Sequence, residues 1–376
     1  TGSAWSVEDL GSKNGTWVNG VRATRTQLAD GDLIEAGSTI FLFRDPPTDR
    51  FGDRPDLAAG ELAALPLAMR TLSPAVARRL SAIERVAPSK VPVILLGETG
   101  TGKEVVARAL HEQSGRSGAL VAVNCGALPR ELIESELFGH RRGSFSGADV
   151  DRDGLIRSAD GGTLLLDEIA ELPEPSQVAL LRVLQEGEVR PVGGAAAVSV
   201  DVRVIAATHR DLARLVDQGQ FREDLYARLA GLTVELEPLR RRREDIGMLV
   251  AELLPKASPD GADQLSLSRD AGRALFAYRW PRNIRELEQA LGAAVALSGG
   301  GTIELDQLPA PVRDGAPAAE QPILSDDDRA LRDQLVDQLG RESGNVRAVA
   351  RALDKAPMQI YRWCKRLGID IDRYRS

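Results

Sequence analysis

Apolar positions along this chain fall into segments of different period. Residues 1 to about 44 alternate apolar and polar over short stretches, as in "SVEDLGSKNGTWVNG" and "LADGDLIEAGSTIFLFR". The pairs Asn14-Gly15 and Asn19-Gly20 suit the positive backbone dihedrals of tight turns, and "TIFLF" has strand composition, so short strands are predicted here. "RDPPTDRFGDRPDLAAG" follows, and its Pro, Gly and Asp mark a linker over 45–65. From 66 to 310 the apolar runs "VPVILLG", "LVAVN", "GTLLLDE" and "VRVIAAT" alternate with amphipathic helical stretches. That alternation predicts an α/β fold, a parallel sheet with helices on both faces. A second linker, "PVRDGAPAAEQPILSDDD", covers 311–326, and helices alone are predicted over 327–376.

Composition adds two constraints. No apolar run approaches the roughly 20 residues that span a bilayer, so no membrane association is expected. Cys125 and Cys364 are the only cysteines, too few for a disulfide framework or a zinc site, which fits a reducing cytoplasm. The first residue is Thr1, and the chain is expected to be part of a longer protein. The net charge is −7, yet residues 341–376 hold nine Arg or Lys against four Asp or Glu. A basic tail on an acidic body predicts that DNA is met at one end.

Four patterns carry chemistry. In "VPVILLGETGTGKEVVARAL", an apolar strand runs through Gly97, Glu98, Thr99, Gly100, Thr101, Gly102 and Lys103 into a helix. Glycines let backbone amides wrap a phosphate, the helix start favours negative charge, and a lysine reaches the terminal phosphates. Glu104 stands where most such loops place a Ser or Thr for Mg²⁺. An ordinary strand-to-helix turn is the alternative. Second, "GGTLLLDE" ends a strand in Asp167 and Glu168, suited to holding Mg²⁺ and polarising a water, or else a solvated acidic turn. Third, Gly143, Ser144, Phe145, Ser146, Gly147 and Ala148 place one aromatic between glycines, either an apolar tip for a partner or a hairpin that buries its Phe. Fourth, "GNVRAVARALDKAPMQIYRWCKRLGI" predicts two helices with apolar faces at Val346, Ala350 and Leu353 and at Ile360, Cys364 and Leu367. Gln359, Arg362, Lys365 and Arg366 then face outward, as major-groove contacts or as the charged face of a dimerising hairpin.

Residues 66–310 resemble the central domain of the bacterial sigma-54-dependent activators, the enhancer-binding proteins. "GETGTGKE", "ELFGHRRGSFSGA", "LLRVLQEGEVRPVGG", "FREDLYARL", "LEPLRRRREDI" and "WPRNIRELEQ" occur in that family's order. The resemblance implies an AAA+ P-loop ATPase core over 66–237 and a helical lid over 238–310, with ATP and Mg²⁺ as cofactors. It implies that Lys103 binds the β and γ phosphates, that Asp167 holds Mg²⁺ and that Glu168 activates the hydrolytic water. Glu104 belongs to that family's loop. Asn124 of "VNCGAL" is expected to hold Glu168 in check. Thr208 and His209 match the first sensor, where many relatives carry Asn at the second position. Arg222 and Arg228 match arginine fingers that reach a neighbouring subunit, which implies a hexameric or heptameric ring; a surface salt bridge is the alternative reading of each. Arg285 matches the second sensor.

The loop at Gly143 resembles the family's sigma-factor grip, most often GAFTGA, with Ser144 for Ala and Ser146 for Thr. The implied partner is RNA polymerase carrying sigma-54. The tail is similar to the Fis-type helix-turn-helix, which implies binding to double-stranded DNA at an upstream enhancer. It departs at Asp354-Lys355, where Gly and an apolar residue are frequent, and at Ala356, which replaces a Ser cap. "DLGSKNGTWVNG…LADGDLIEAGSTIFLF" resembles the carboxyl half of a forkhead-associated domain, a β-sandwich that reads phosphothreonine proteins. Ser12, Lys13 and Asn14 match its peptide-facing loop, while the half with its main phosphate-binding Arg and Ser is missing. Competing classes are an AAA+ remodeller of another client and a nucleotide-binding, DNA-bound regulator that does not use sigma-54. The first explains neither the aromatic loop nor the basic tail. The second is permitted by the altered loop.

Overall fold

The computed structural model describes residues 5–45, 70–145, 148–258, 261, 264–314, 331, 334–336, 338–339, 341–342, 345–353 and 355–366. The 45–65 linker past Asp45, the 311–326 linker past Asp314, and Ser146, Gly147, Asp354 and Leu367 lie outside the described residues, as do the side chains of Lys365 and Arg366. Two compact units are present, Thr1–Asp314 and Gly315–Ser376.

The first unit begins with short antiparallel strands. Four of them, β2 (Thr16–Val18), β3 (Val21–Ala23), β5 (Leu33–Ala36) and β6 (Thr39–Leu42), form a sheet in the order β3-β2-β5-β6, and β1 (Ser6–Glu8) pairs with β4 (Arg25–Gln27). The β2–β3 turn is Asn19-Gly20, with φ of 51° and 79°, the pairing that a two-residue hairpin loop requires. Gly15 also has positive φ.

The central sheet has five parallel strands in the order β11-β7-β10-β9-β8: β7 (Val93–Leu96), β8 (Leu120–Asn124), β9 (Thr163–Asp167), β10 (Arg203–Thr208) and β11 (Leu232–Glu235). All of β10 and the first four residues of β9 are buried, as expected for a sheet covered on both faces. One face packs under α1 (Pro74–Val86) and α2 (Lys103–Gln113), through Val76, Leu80, Ile83, Val106 and Leu110. The other packs under α3 (Arg130–Phe138), α4 (Glu174–Glu186) and α5 (Glu223–Leu229). Pro74 after Ser73 starts α1, where its fixed φ suits the first helical turn.

Beyond the sheet, α6 (Ile246–Ala257), α7 (Arg269–Ala277) and α8 (Asn283–Ser298) enclose a separate core around the fully buried Trp280. Trp280 and Asn283 both adopt positive φ, 53° and 57°, so the "WPRN" turn is held open against ordinary backbone preference.

In the second unit, α9 (Val346–Ala352) is capped by Asn345, whose side chain accepts from the N–H groups of Arg347 and Ala348. It packs on α10 (Pro357–Arg366) through Val346, Val349, Ala350, Ile360 and Cys364, joined by Leu335 and Leu339. Lys355 and Ala356 occupy the turn between the helices.

Candidate nucleotide site

Parallel strands deliver their carboxyl ends to one edge, where an α/β sheet gathers its ligand groups. The register sets Asp167 beside Asn124 on one side and Ala207 on the other, with Thr208 beside Leu96. The P-loop, Gly97–Gly102, leaves β7 at this edge. Gly100 (φ 80°) and Gly102 (φ 99°) take the left-handed turns that aim the loop and start α2.

Lys103 folds back across the loop and donates to the carbonyls of Gly97 at 2.8 Å and Glu98 at 3.3 Å. Burial holds its ammonium below the ordinary lysine range, against the opposing pull of Glu168 and Asp167. Thr101 is buried, its hydroxyl donating to the Glu98 carbonyl. Glu104 is exposed and pairs with Arg108 at 3.5 Å on the helix surface.

The strand-end carboxylates are crowded. Burial and the neighbouring Glu168 raise Asp167 above its usual range, so the pair is short of positive charge even with Lys103 beside it. Such a carboxylate pair fits a divalent cation. Cys125, just past the end of β8, is buried, and burial pushes its thiol up to about 12, so it is inert.

Glu168 takes a left-handed conformation at φ 52° and its carboxylate meets His209 Nδ1 at 2.8 Å. Asn124 is placed differently from its expected restraint on Glu168. Its side-chain oxygen accepts from Gly126 and Ala127 N–H, and its amide lies 3.5 Å from Asp167. The Thr208 hydroxyl accepts from Arg210 N–H, and its carbonyl accepts from Gly97 N–H.

The lid closes over the loop. Ile284 N–H donates to the Gly100 carbonyl, and a Cβ on Gly100 would lie 2.2 Å from the Arg282 carbonyl and 3.1 Å from Arg285 Cβ. Arg285 thus sits against the P-loop, near enough to lower Lys103. Asn283, fully buried, donates to Thr99 O at 3.0 Å and Glu98 Oε2 at 3.2 Å while accepting from Leu239 N–H. Arg240 forms a two-pronged ion pair with Glu98 at 2.6 and 2.7 Å, and that hydrogen bonding keeps the carboxyl below the usual carboxylate range. Sequence reasoning missed Asn283 and Arg240; the polar Asn inside "WPRNI" was the available signal. It also missed an apolar cavity of about 190 Å³ beside the loop, lined by Val76, Leu80, Gly102, Leu249, Leu253 and Ile284.

Arg222 and Arg228 are not brought to this edge. Arg222, just before α5, is bonded to Asp224 at 2.6 and 3.0 Å, and Arg228 donates to the Leu184 carbonyl. Both lie on the outer surface of α5, at least partly exposed.

The aromatic loop projects from a two-residue β-ladder pairing Gly139 and His140 with Asp153 and Arg152. Gly143 N–H donates to Ala148 O, and Phe145 stays 37% exposed with its ring edge on His140. Its side chain is not part of the core. The "VRPVGG" turn supports the loop: Arg141 N–H donates to Val192 O, and a Cβ on Gly193 would lie 2.7 Å from Ser144. On α10, Gln359 and Arg362 are exposed together with Met358 and Tyr361, while Ile360 and Cys364 are buried.

Comparison with known proteins assigns domains along the chain. Residues 69–235 match the Sigma-54 interaction domain, 240–323 the AAA+ ATPase lid domain and 1–37 the FHA domain. The response regulator protein PilR of Pseudomonas aeruginosa is 44% identical over 79% of this chain and 69% of its own length. The transcriptional regulatory protein ZraR of Klebsiella oxytoca is 47% identical over 75% of this chain, and the DNA-binding transcriptional regulator NtrC of Azospirillum brasilense 48% over 69%. This chain spans 65% of that ZraR and 53% of that NtrC. The crystal structure of NtrX from Brucella abortus in complex with ATP superposes with a TM-score of 0.60 at 34% identity, covering 80% of this chain and 70% of NtrX. The chain belongs to the family of sigma-54-dependent transcriptional activators, with the AAA+ domain and lid of that family and a match to the FHA domain over residues 1–37.

Proposed function

We propose that the protein hydrolyses ATP in a hexameric or heptameric ring and uses the cycle to remodel RNA polymerase carrying sigma-54. The observation that carries this is the convergence of Lys103, Asp167, Glu168 and Arg285 on the P-loop edge beneath a closed lid. The NtrX structures with ATP and ADP share this fold, and the cavity beside Gly102 would receive the purine ring. Lys103, released from the loop carbonyls, neutralises the β and γ phosphates. Asp167 would hold Mg²⁺, which supplies charge neutralisation between phosphate oxygens. Glu168 accepts a proton from the water whose oxygen bonds to the γ phosphorus as the bond to the β-bridging oxygen breaks. Thr208 and His209 line the same edge, and His209 orients the Glu168 carboxylate.

Arg222 and Arg228, bonded away from this edge within one chain, would reach the γ phosphate of the adjoining subunit. Nucleotide state then moves the Gly143–Ala148 loop, with Phe145 as its contact with sigma-54. The carboxyl-terminal helices place Gln359, Arg362, Lys365 and Arg366 against upstream DNA. The amino-terminal strands, within a complete forkhead-associated domain, would read a phosphothreonine protein through Ser12, Lys13 and Asn14. The cell compartment that fits these partners is the cytoplasm. The test is open-complex formation by sigma-54 polymerase with purified protein and hydrolysable ATP. Formation with ATP and none with a non-hydrolysable analogue is expected. ATP turnover without open complex would leave a nucleotide-binding, DNA-bound regulator that does not use sigma-54.

A further inference from the structure

The run Arg240–Asp245, "RRRRED", joins the sheet to the lid, and its side chains leave in two directions. Toward the nucleotide site, Arg240 grips Glu98 and Arg242 donates to the Thr101 carbonyl at 3.0 Å. Arg242 is buried and pairs with Asp245, whose carboxylate also accepts from the Thr71 hydroxyl and Leu72 N–H. Toward the amino-terminal strands, Glu244 pairs with Arg44 and Arg243 donates to Gly31 O at 3.3 Å, while Arg243 also donates to Phe276 O of α7 at 3.0 Å. Consecutive residues of one short strap therefore hold the P-loop and the β-module at once.

A second contact fixes the module to the lid itself. Glu35 of β5 has a fully buried carboxylate, met by Arg273 of α7 through two bonds of 2.8 Å. Arg269 lies over the Trp17 ring at 5.7 Å. The approach is close: a Cβ on Gly272 would lie 2.7 Å from Ile40 Cδ1. Burying a carboxylate is unfavourable unless it is paired, so this surface is matched to one partner and resists sliding. A cleft of about 680 Å³ separates the module from α1 of the core, between Gly31 and Leu42 on one side and Ser73 and Arg78 on the other. The module is bonded to strap and lid, and it leaves the loop at Ser12–Asn14 exposed.

We propose that this strap couples the amino-terminal β-module to the P-loop: with the module docked on α7, Arg240 and Arg242 are held in their grip on Glu98 and Thr101, and nucleotide binds more tightly. The coupling deepens the ATP-site assignment above and rests on it for one of its two readouts. By linkage, nucleotide must in turn tighten the docking of the module.

The test uses the full chain with a fluorescent ADP analogue, together with amide exchange over 240–245. Glu35→Gln keeps the side-chain shape but removes its charge. It is expected to raise the analogue's Kd about five-fold or more and to speed exchange in the strap. Arg44→Ala, which removes a partly exposed partner, should do the same more weakly without endangering the fold. Glu35→Arg combined with Arg273→Glu should restore both readouts toward wild type. Unchanged Kd and unchanged strap exchange in Glu35→Gln and Arg44→Ala would overturn the coupling. If the wild-type chain bound no ADP analogue, the ATP-site assignment would fail, and strap exchange alone would still decide whether the module controls it.

Discussion

The P-loop edge and the outer surface of α5 make an instructive contrast. At the first, Lys103, Asp167, Glu168, His209 and Arg285 are drawn together by one sheet and one lid: Lys103 bonds to the loop, Glu168 to His209, and Arg285 lies against Gly100. At the second, Arg222 and Arg228 carry the charge that a cleaving phosphate needs but are turned to Asp224 and the Leu184 carbonyl. Under the proposed function, binding would be assembled within a chain while cleavage would wait for a neighbour, and such a motor would turn over only once assembled.

That contrast can be broken at either end. Arg222→Ala has the largest expected effect, a fall of about 10³-fold or more in ATP turnover, with nucleotide affinity unchanged. An equal loss of affinity in a binding titration would place Arg222 inside its own subunit's site. Glu168→Gln comes next, with turnover reduced about 10²- to 10⁴-fold and ATP still bound, as single-turnover and binding assays would show. Phe145→Ala is expected to spare ATP turnover and weaken the sigma-54 contact about thirty-fold, the scale of a buried aromatic anchor; open-complex yield reads it. Undiminished yield would remove the loop from the mechanism.

The smallest effect concerns the lid. Because Arg240 keeps Glu98 below its ordinary value of 4.5, the Glu98 contribution is fully present above that value and is lost as pH falls through the folded one. The difference in unfolding midpoint between wild type and Glu98→Gln should therefore stay level from neutral pH to about 4.5 and shrink below it. A difference that shrank between pH 7 and 6 would point to another group.

Much of this site was legible in the sequence because phosphate chemistry restricts which residues can serve. The P-loop glycines and the strand-end pair Asp167-Glu168 were identifiable by order and type, and the sheet register then aligned Asp167 with Asn124. What failed to show was the second layer. The tie of Asn283 to Thr99 and Glu98 depends on a left-handed turn in "WPRN" that pattern cannot reveal. Asn124, expected to hold Glu168, caps its own turn instead, and His209 takes the carboxylate. Strand order decides such neighbours, since β9 lies between β8 and β10. The Glu35–Arg273 pair joins residues far apart in the chain, and no local period signals it.

The central claim is that one catalytic site is shared by two chains, and mixing two inactive variants tests it most directly. Glu168→Gln keeps its Arg222, and Arg222→Ala keeps its Glu168, so a mixed ring would contain junctions with both groups intact. Recovered ATP turnover on mixing, absent from either variant alone at the same concentration, is the predicted result. A mixture that forms rings yet stays as inactive as its components would contradict the account.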